Sequence, residues 1–271
     1  MENEQKYYEF ERFWNNEEYS YEIGIDKINI TFDLIRNDVT TLLDAACGNG
    51  IFTNMVAEKF RNIKVVAFDR SETALKYVKT EKHIASIDSI PFRDKEFDLV
   101  TAHDVIEHLP VGVYEKSLQE LARVARKYII IAVPYNENLK HNASECPSCH
   151  TTFNNDFHFR SFDKAKMENL FADKGFKCVE IRTCDSNQYY VGQRLYGQVF
   201  YPKWQKKFRS PICPVCGYLN PEDQNPEFRI GNPTKEEAPK GLVPFLKRLP
   251  KLIWPKYSKD YEMVALFEKK N

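Results

Sequence analysis

Two periodicities alternate along this chain. Apolar, partly β-branched runs recur at Val39 to Leu43, Lys64 to Phe68, Lys82 to Ser86, Phe97 to Ala102 and Tyr128 to Val133. Runs of this length and composition predict strands. The run at 128–133 is apolar at every position, the mark of a strand covered on both faces. Between the runs the spacing becomes helical. A helix is predicted from Ile51, and another from Tyr114 to Ala125, where apolar residues fall at 118, 121, 122 and 125. Asp163 to Lys174 reads as a helix and Phe176 to Thr183 as a strand. Tyr261 to Lys269, centred on Met263 to Phe267, reads as a last strand. Residues 1–36 are helical in pattern and rich in Tyr, Phe and Trp. Strands alternating with helices predict an α/β fold on a parallel sheet.

The first strand closes on a distinctive turn, Asp44-Ala45-Ala46-Cys47-Gly48-Asn49-Gly50. Small residues let backbone approach a ligand closely, and Gly48 and Gly50 allow dihedrals that a Cβ forbids. A strand, tight turn and helix N-terminus suit a nucleotide-like ligand at the edge of a parallel sheet. The second strand ends at Asp69, 19 positions after Gly50. There a nucleotide fold places the acid that accepts two ribose hydroxyls. A nicotinamide-binding domain would carry Gly-x-Gly-x-x-Gly. In one register the third glycine place falls on Thr53, and in the other the first is Ala46 and the third Ile51.

These pieces, with Ile90-Pro91-Phe92, Phe97-Asp98-Leu99-Val100 and Asp104-Val105-Ile106-Glu107-His108-Leu109, resemble the class I S-adenosylmethionine-dependent methyltransferases. The resemblance covers residues 39–183 and the last strand. It implies a Rossmann-like, seven-stranded, mostly parallel sheet with helices on both faces and an antiparallel final strand. It implies S-adenosyl-L-methionine as cofactor. Asp44, Ala46, Cys47, Gly48 and Gly50 would face its methionine part, and Asp69 its ribose, with Arg70 alongside. Ser86 and Ile87 would lie at the adenine edge, where many relatives carry Asp in place of Ser86. Asp104 and Val105 would lie beneath the sulfonium. Relatives often carry Gly in place of Ala46, and a β-like backbone would accept the alanine. An N-terminal segment such as 1–36 would pack over the cofactor as a lid.

At 271 residues and 42% hydrophobic, the chain can bury one large core with a small insert. No run is long enough to span a membrane. The acidic, polar start is not a secretory signal. Seven cysteines without such a signal point to a reducing, cytoplasmic setting, and to metal or free thiols rather than disulfides. Formal net charge is zero, unlike a general nucleic-acid binder. The stretch 241–256 is apolar and basic. It suits peripheral contact with an anionic membrane surface or a lipid-linked substrate, or packing on its own domain.

Cys146-Pro147-Ser148-Cys149 and Cys213-Pro214-Val215-Cys216 form two knuckles separated by 63 residues. Two Cys-x-x-Cys turns that meet make a tetrahedral four-cysteine zinc site, closed and therefore structural. A redox dithiol pair and uncoordinated thiols remain as alternatives. Some class I methyltransferases carry a stretch similar to Pro134-Tyr135-Asn136-Glu137-Asn138-Leu139, Cys146 and His158-Phe159-Arg160-Ser161-Phe162 after the fifth strand.

The expected organisation is a helical lid (1–36), a cofactor-binding domain (37–183), an insertion with the second knuckle (184–259) and a final strand (260–271). The expected activity is methyl transfer to a small molecule or a glycan or lipid precursor. An RNA methyltransferase and a non-catalytic zinc-containing scaffold are the other readings. His108, early in the helix after strand four, and His158 are the candidate catalytic groups, because histidine serves as a general base near neutral pH.

Overall fold

The computed structural model describes residues 2–14, 17–140, 142–184, 187–190, 212–219 and 256–270. Helices α1 (Glu2–Tyr8), α2 (Glu11–Trp14) and α3 (Glu17–Leu34) open the chain. Then follow β1 (Thr41–Ala45), α4 (Ile51–Lys59), β2 (Lys64–Asp69), α5 (Glu72–Leu75), β3 (Glu81–Ile84), β4 (Phe97–His103), α6 (Val113–Val124) and β5 (Ala125–Pro134). A hairpin of β6 (Ala143–Glu145) and β7 (Thr152–Asn154) precedes α7 (Lys164–Glu168) and β8 (Phe176–Cys184). The chain closes through β9 (Asn187–Tyr190), β10 (Lys256–Lys259) and β11 (Glu262–Lys269).

Seven strands form one sheet in the order β3-β2-β1-β4-β5-β11-β8. The first five run parallel, and β11 lies antiparallel between β5 and β8. Successive residues point to opposite faces of a strand, and both faces are covered. Ile129, Ile131 and Val133 of β5 join Met263, Ala265 and Phe267 of β11 in one core with Leu118, Leu121 and Ala122 of α6. Ile130 and Ala132 join Val264 and Leu266 in a second core with Ile28 and Phe32 of α3 and Phe52 and Val56 of α4. Each of the Val, Leu, Ile, Met and Phe side chains among them contributes about 1.5–3 kcal/mol on burial. The chain winds outward from β1 through β2 and β3, then restarts at β4. The β1 and β4 carboxyl ends therefore flank the switch point where ligands bind in such sheets.

Several expectations need correction. The helix expected over 163–174 stops at Glu168, and a separate 3-10 turn spans Ala172–Lys174. Asp163 caps the start by accepting the Lys166 N–H at 2.8 Å, but the Asn169 amide turns back to the Ala165 carbonyl at 2.8 Å. Such side-chain bonds compete with the helical ladder. His108 lies in a 3-10 turn, Ile106–His108, and not in α6. Pro110 disfavours helical backbone at Leu109, so α6 starts only after Gly112. The polar stretch after β5 contains the β6–β7 hairpin, whose tip is the first knuckle. The insertion leaves and re-enters through antiparallel β9 and β10. Of the stretch 241–256, all but the last residue lie outside the described residues. None of the described helices is long and apolar enough to cross a membrane.

Candidate functional site

The turn after β1 is bent by three left-handed residues, Ala46 (φ 57°), Gly48 (φ 54°) and Gly50 (φ 74°). The backbone at Ala46 is thus not the β-like one expected for an alanine, and this residue carries the strain that a glycine would not. A Cβ at Gly50 would sit 2.7 Å from Val78 Cγ2, so only glycine fits there. Asp69 fastens the turn: one oxygen accepts the Gly48 N–H and the other the Ser71 N–H, both at 2.8 Å. Burial pushes the Asp69 carboxyl above its ordinary range. Each of its oxygens keeps a second lone pair for a ligand hydroxyl. Arg70 lies beside it with its guanidinium 5.3 Å from the Tyr8 ring centroid.

Asp44 stands behind the turn, 2% exposed. It accepts the Thr53 hydroxyl at 2.5 Å and the Thr101 hydroxyl at 3.0 Å. Burial raises its pKa to about 6. Cys47 anchors the turn through its N–H to the Phe68 carbonyl at 3.0 Å. At the far side of the crevice Ser86 is exposed and its hydroxyl donates to Asp88 at 2.5 Å, while Ile87 belongs to the core. Asp88 is thus the carboxylate at this edge, two positions from where the sequence pattern directed attention.

At the end of β4, Asp104 adopts φ 53° and is ion-paired with Lys27 of α3, which also reaches Glu262 at 3.3 Å. Desolvation alone would raise the Asp104 pKa, but the Lys27 ammonium outweighs it and holds the carboxyl low. Val105 is buried next to it, and Glu107 is 1% exposed with neither carboxylate oxygen hydrogen-bonded. Burial and the nearby Asp104 charge push Glu107 well above the usual carboxylate range. His108 is driven down to about 3 by burial and by His158, whose ring centroid is 4.5 Å away. His158 bonds through Nδ1 to Glu137 at 2.5 Å. Glu137 lies in the stretch 134–139, whereas Lys27 is separated from Asp104 by 77 positions and carries no local signal in the sequence.

The N-terminal segment covers this crevice. Trp14 lies so close to Gly48 that a Cβ there would be 2.8 Å from its ring. The Asn49 amide donates to the Trp14 carbonyl at 3.1 Å, the Ser71 hydroxyl to the Tyr8 carbonyl at 2.8 Å, and the Tyr8 hydroxyl lies 3.4 Å from His108 Nδ1.

The two knuckles meet. Cys146 and Cys216 sulfurs are 3.7 Å apart, as are those of Cys149 and Cys213, and all four lie within 4.8 Å of one another. A zinc with bonds of about 2.3 Å makes a sulfur tetrahedron with edges of about 3.8 Å, whereas a disulfide needs about 2.0 Å. These four residues can therefore hold one ion. The backbone shapes each corner: the His150 N–H donates to the Cys146 carbonyl at 2.9 Å, and the Gly217 N–H to the Cys213 carbonyl at 3.0 Å.

Residues 43–132 match the family model described as "Methyltransferase domain". The chain is 29% identical over 164 residues to Uncharacterized protein MJ0638 of Methanocaldococcus jannaschii, a match that covers 58% of this chain and 64% of that protein's length. A Burkholderia thailandensis 1,6-didemethyltoxoflavin N1-methyltransferase, solved with S-adenosylhomocysteine and its substrate, aligns with TM-score 0.53 at 12% identity. That alignment covers 94% of this chain and 82% of the other. A Haloferax volcanii structure of the Trm112 methyltransferase activator with a candidate methyltransferase aligns equally well, TM-score 0.53 at 13% identity, over 97% of this chain and 99% of the other. Residues 43–132 thus match a methyltransferase domain, on a seven-stranded fold similar to that of these solved proteins.

Proposed function

We propose that the protein transfers a methyl group from S-adenosylmethionine to a small molecule or a glycan or lipid precursor. The observation that carries this reading is the turn at Ala46–Gly50 fastened by the Asp69 carboxylate. Gly48 and Gly50 let the turn pack against Trp14 and Val78 with no room for a Cβ, and the spare acceptor capacity of Asp69 suits the cofactor's ribose. When bound, it supplies a methyl group on a sulfonium, a good leaving group, so catalysis rests mainly on positioning and exclusion of water.

In this reading the backbone from Ala46 to Gly50 holds the amino-acid end, and the free lone pairs of Asp69 accept the ribose hydroxyls. Asp44 sets the turn from behind through Thr53 and Thr101. Ser86, Ile87 and Asp88 bound the adenine edge. Lys27 pins Asp104, and with it the backbone that runs into Val105. Tyr8 and Trp14 close the crevice from solvent. To the acceptor side we assign His108 and His158. A base with a pKa near 3 removes little of the cost of a proton transfer at neutral pH, so His108 acts as a neutral imidazole. The zero net charge favours an acceptor other than nucleic acid. The four cysteines are assigned to a structural zinc that ties the insertion to the β6–β7 hairpin.

Calorimetric titration with S-adenosylmethionine and S-adenosylhomocysteine tests this, alongside metal analysis. Micromolar binding is expected, weakened about 100-fold in Asp69→Ala and less in Asp69→Asn, which keeps one acceptor oxygen. One zinc per chain is expected. A folded, zinc-loaded protein that binds neither ligand would favour the scaffold reading instead.

A further inference from the structure

We propose that Glu107, His108 and His158 form a site for one divalent first-row transition-metal ion, separate from the four-cysteine cluster, with open positions for oxygen atoms of the methyl acceptor. Only the acceptor's role rests on the methyltransferase reading.

One ligand atom from each of the three side chains lies within 4.8 Å of the others. They come from two elements that the fold locks together. Glu107 and His108 belong to the 3-10 turn beyond β4, and His158 to the loop beyond the β6–β7 hairpin. The Phe159 N–H donates to the Glu107 carbonyl at 2.9 Å, and the Arg160 guanidinium to the Ile106 carbonyl at 2.6 Å. His158 is therefore delivered to Glu107 by contacts at the two residues that follow it.

Glu107 points most directly to an ion. Its side chain is almost fully buried, yet both oxygens lack a hydrogen-bond partner. Buried carboxylates normally have donors, and one without them costs several kcal/mol unless it is protonated or ligates a cation. The Lys27 ammonium, whose charge acts on Glu107, is already engaged by Asp104 and Glu262. His158 is held as a metal-binding imidazole is held. A carboxylate, Glu137, holds Nδ1 and leaves Nε2 available as the ligand atom. Asp156 lies in the same cluster with Glu137 and His158 and adds negative charge.

Two imidazoles and one carboxylate suit manganese, iron, cobalt, nickel or zinc better than magnesium or calcium. Three protein ligands leave coordination positions open, unlike the closed four-thiolate set. A hydroxyl or carboxylate acceptor would fill them. The ion would lower the pKa of a bound hydroxyl, a task that His108, as a ligand and a weak base, would not perform.

The test uses full-length protein with its cysteine cluster zinc-loaded, titrated with manganese(II) and followed by electron paramagnetic resonance. One tight manganese per chain is expected. Glu107→Gln and His158→Asn should each weaken it by at least about 10-fold, and Glu137→Gln by about 10-fold through the loosened imidazole. S-adenosylhomocysteine affinity, measured by calorimetry, should stay the same in all three. Glu107→Gln is isosteric and keeps the fold. Absence of stoichiometric manganese, or equal affinity in Glu107→Gln, would overturn the site. Manganese binding without any S-adenosylhomocysteine binding would uphold the ion and overturn the methyltransferase reading.

Discussion

Two acids at opposite ends of β4 are equally buried and differently treated. Asp98, near its start, is 1% exposed and fully engaged. It accepts the Thr40 N–H at 2.9 Å and hydroxyl at 2.7 Å, and pairs with Arg126 at 2.7 Å and Lys127 at 3.2 Å. Glu107, just beyond the strand's other end, is also 1% exposed, and its carboxylate has no hydrogen-bond partner. Desolvation alone would raise both pKa values. For Asp98 the donors win and its carboxyl is depressed, while Glu107 remains raised. The first acid is a clasp between β1, β4 and β5. The second is a cost left standing in the fold, and such costs concentrate where a ligand is to be bound.

The largest effect is expected from Asp98→Ala, which should lose about 3 kcal/mol or more, because Thr40 loses its acceptor and two cations lose their buried partner. Denaturant unfolding reads this loss. The affinity of the folded protein for S-adenosylhomocysteine should hold, and a matching fall in affinity would break the division between the two edges. The Asp98 contribution is present above the unfolded aspartate pKa of about 3.9 and disappears as pH falls toward its depressed folded value.

The reverse sign is expected at Glu107. In metal-stripped protein, Glu107→Gln should gain about 1–3 kcal/mol at pH 8, because the uncompensated charge is gone. A raised folded pKa makes the acid's penalty appear as pH climbs above the unfolded glutamate value of about 4.3. Melting curves at pH 4 should therefore show no gain for this variant, and the gain should grow as pH rises toward 8. Excess manganese should stabilise the native protein but not the variant.

The smallest effect sharpens the same contrast in the backbone. Ala46→Gly should stabilise by about 0.5–1 kcal/mol, since relief of left-handed strain exceeds the entropy that glycine adds to the unfolded chain. A loss on thermal melting would mean that the methyl packs more favourably than the strain costs.

Much of this was legible beforehand because it is local. The apolar runs mark β1, β2, β4, β5 and β11, since a strand covered on both faces shows its burial in consecutive residues. The glycine turn and Asp69 are readable because dihedral freedom and a strand-end carboxylate are properties of single positions. The knuckles are readable from spacing alone, and their sulfurs meet. Ala46 was misjudged because a side chain records steric preference, not the φ that tertiary contacts impose. The helix over 163–174 was drawn too long because periodicity does not register the Asn169 amide's competing bond.

The sequence by itself determined the strand-turn-helix order, the glycine turn and the two separate Cys-x-x-Cys knuckles, for each depends on neighbours within a few residues. Only the tertiary structure decided that Lys27 meets Asp104, that Trp14 lies against Gly48 and that His158 reaches Glu107 and His108. These contacts join positions tens of residues apart. Burial and loop closure select such partners jointly, so no single stretch of chain carries the information.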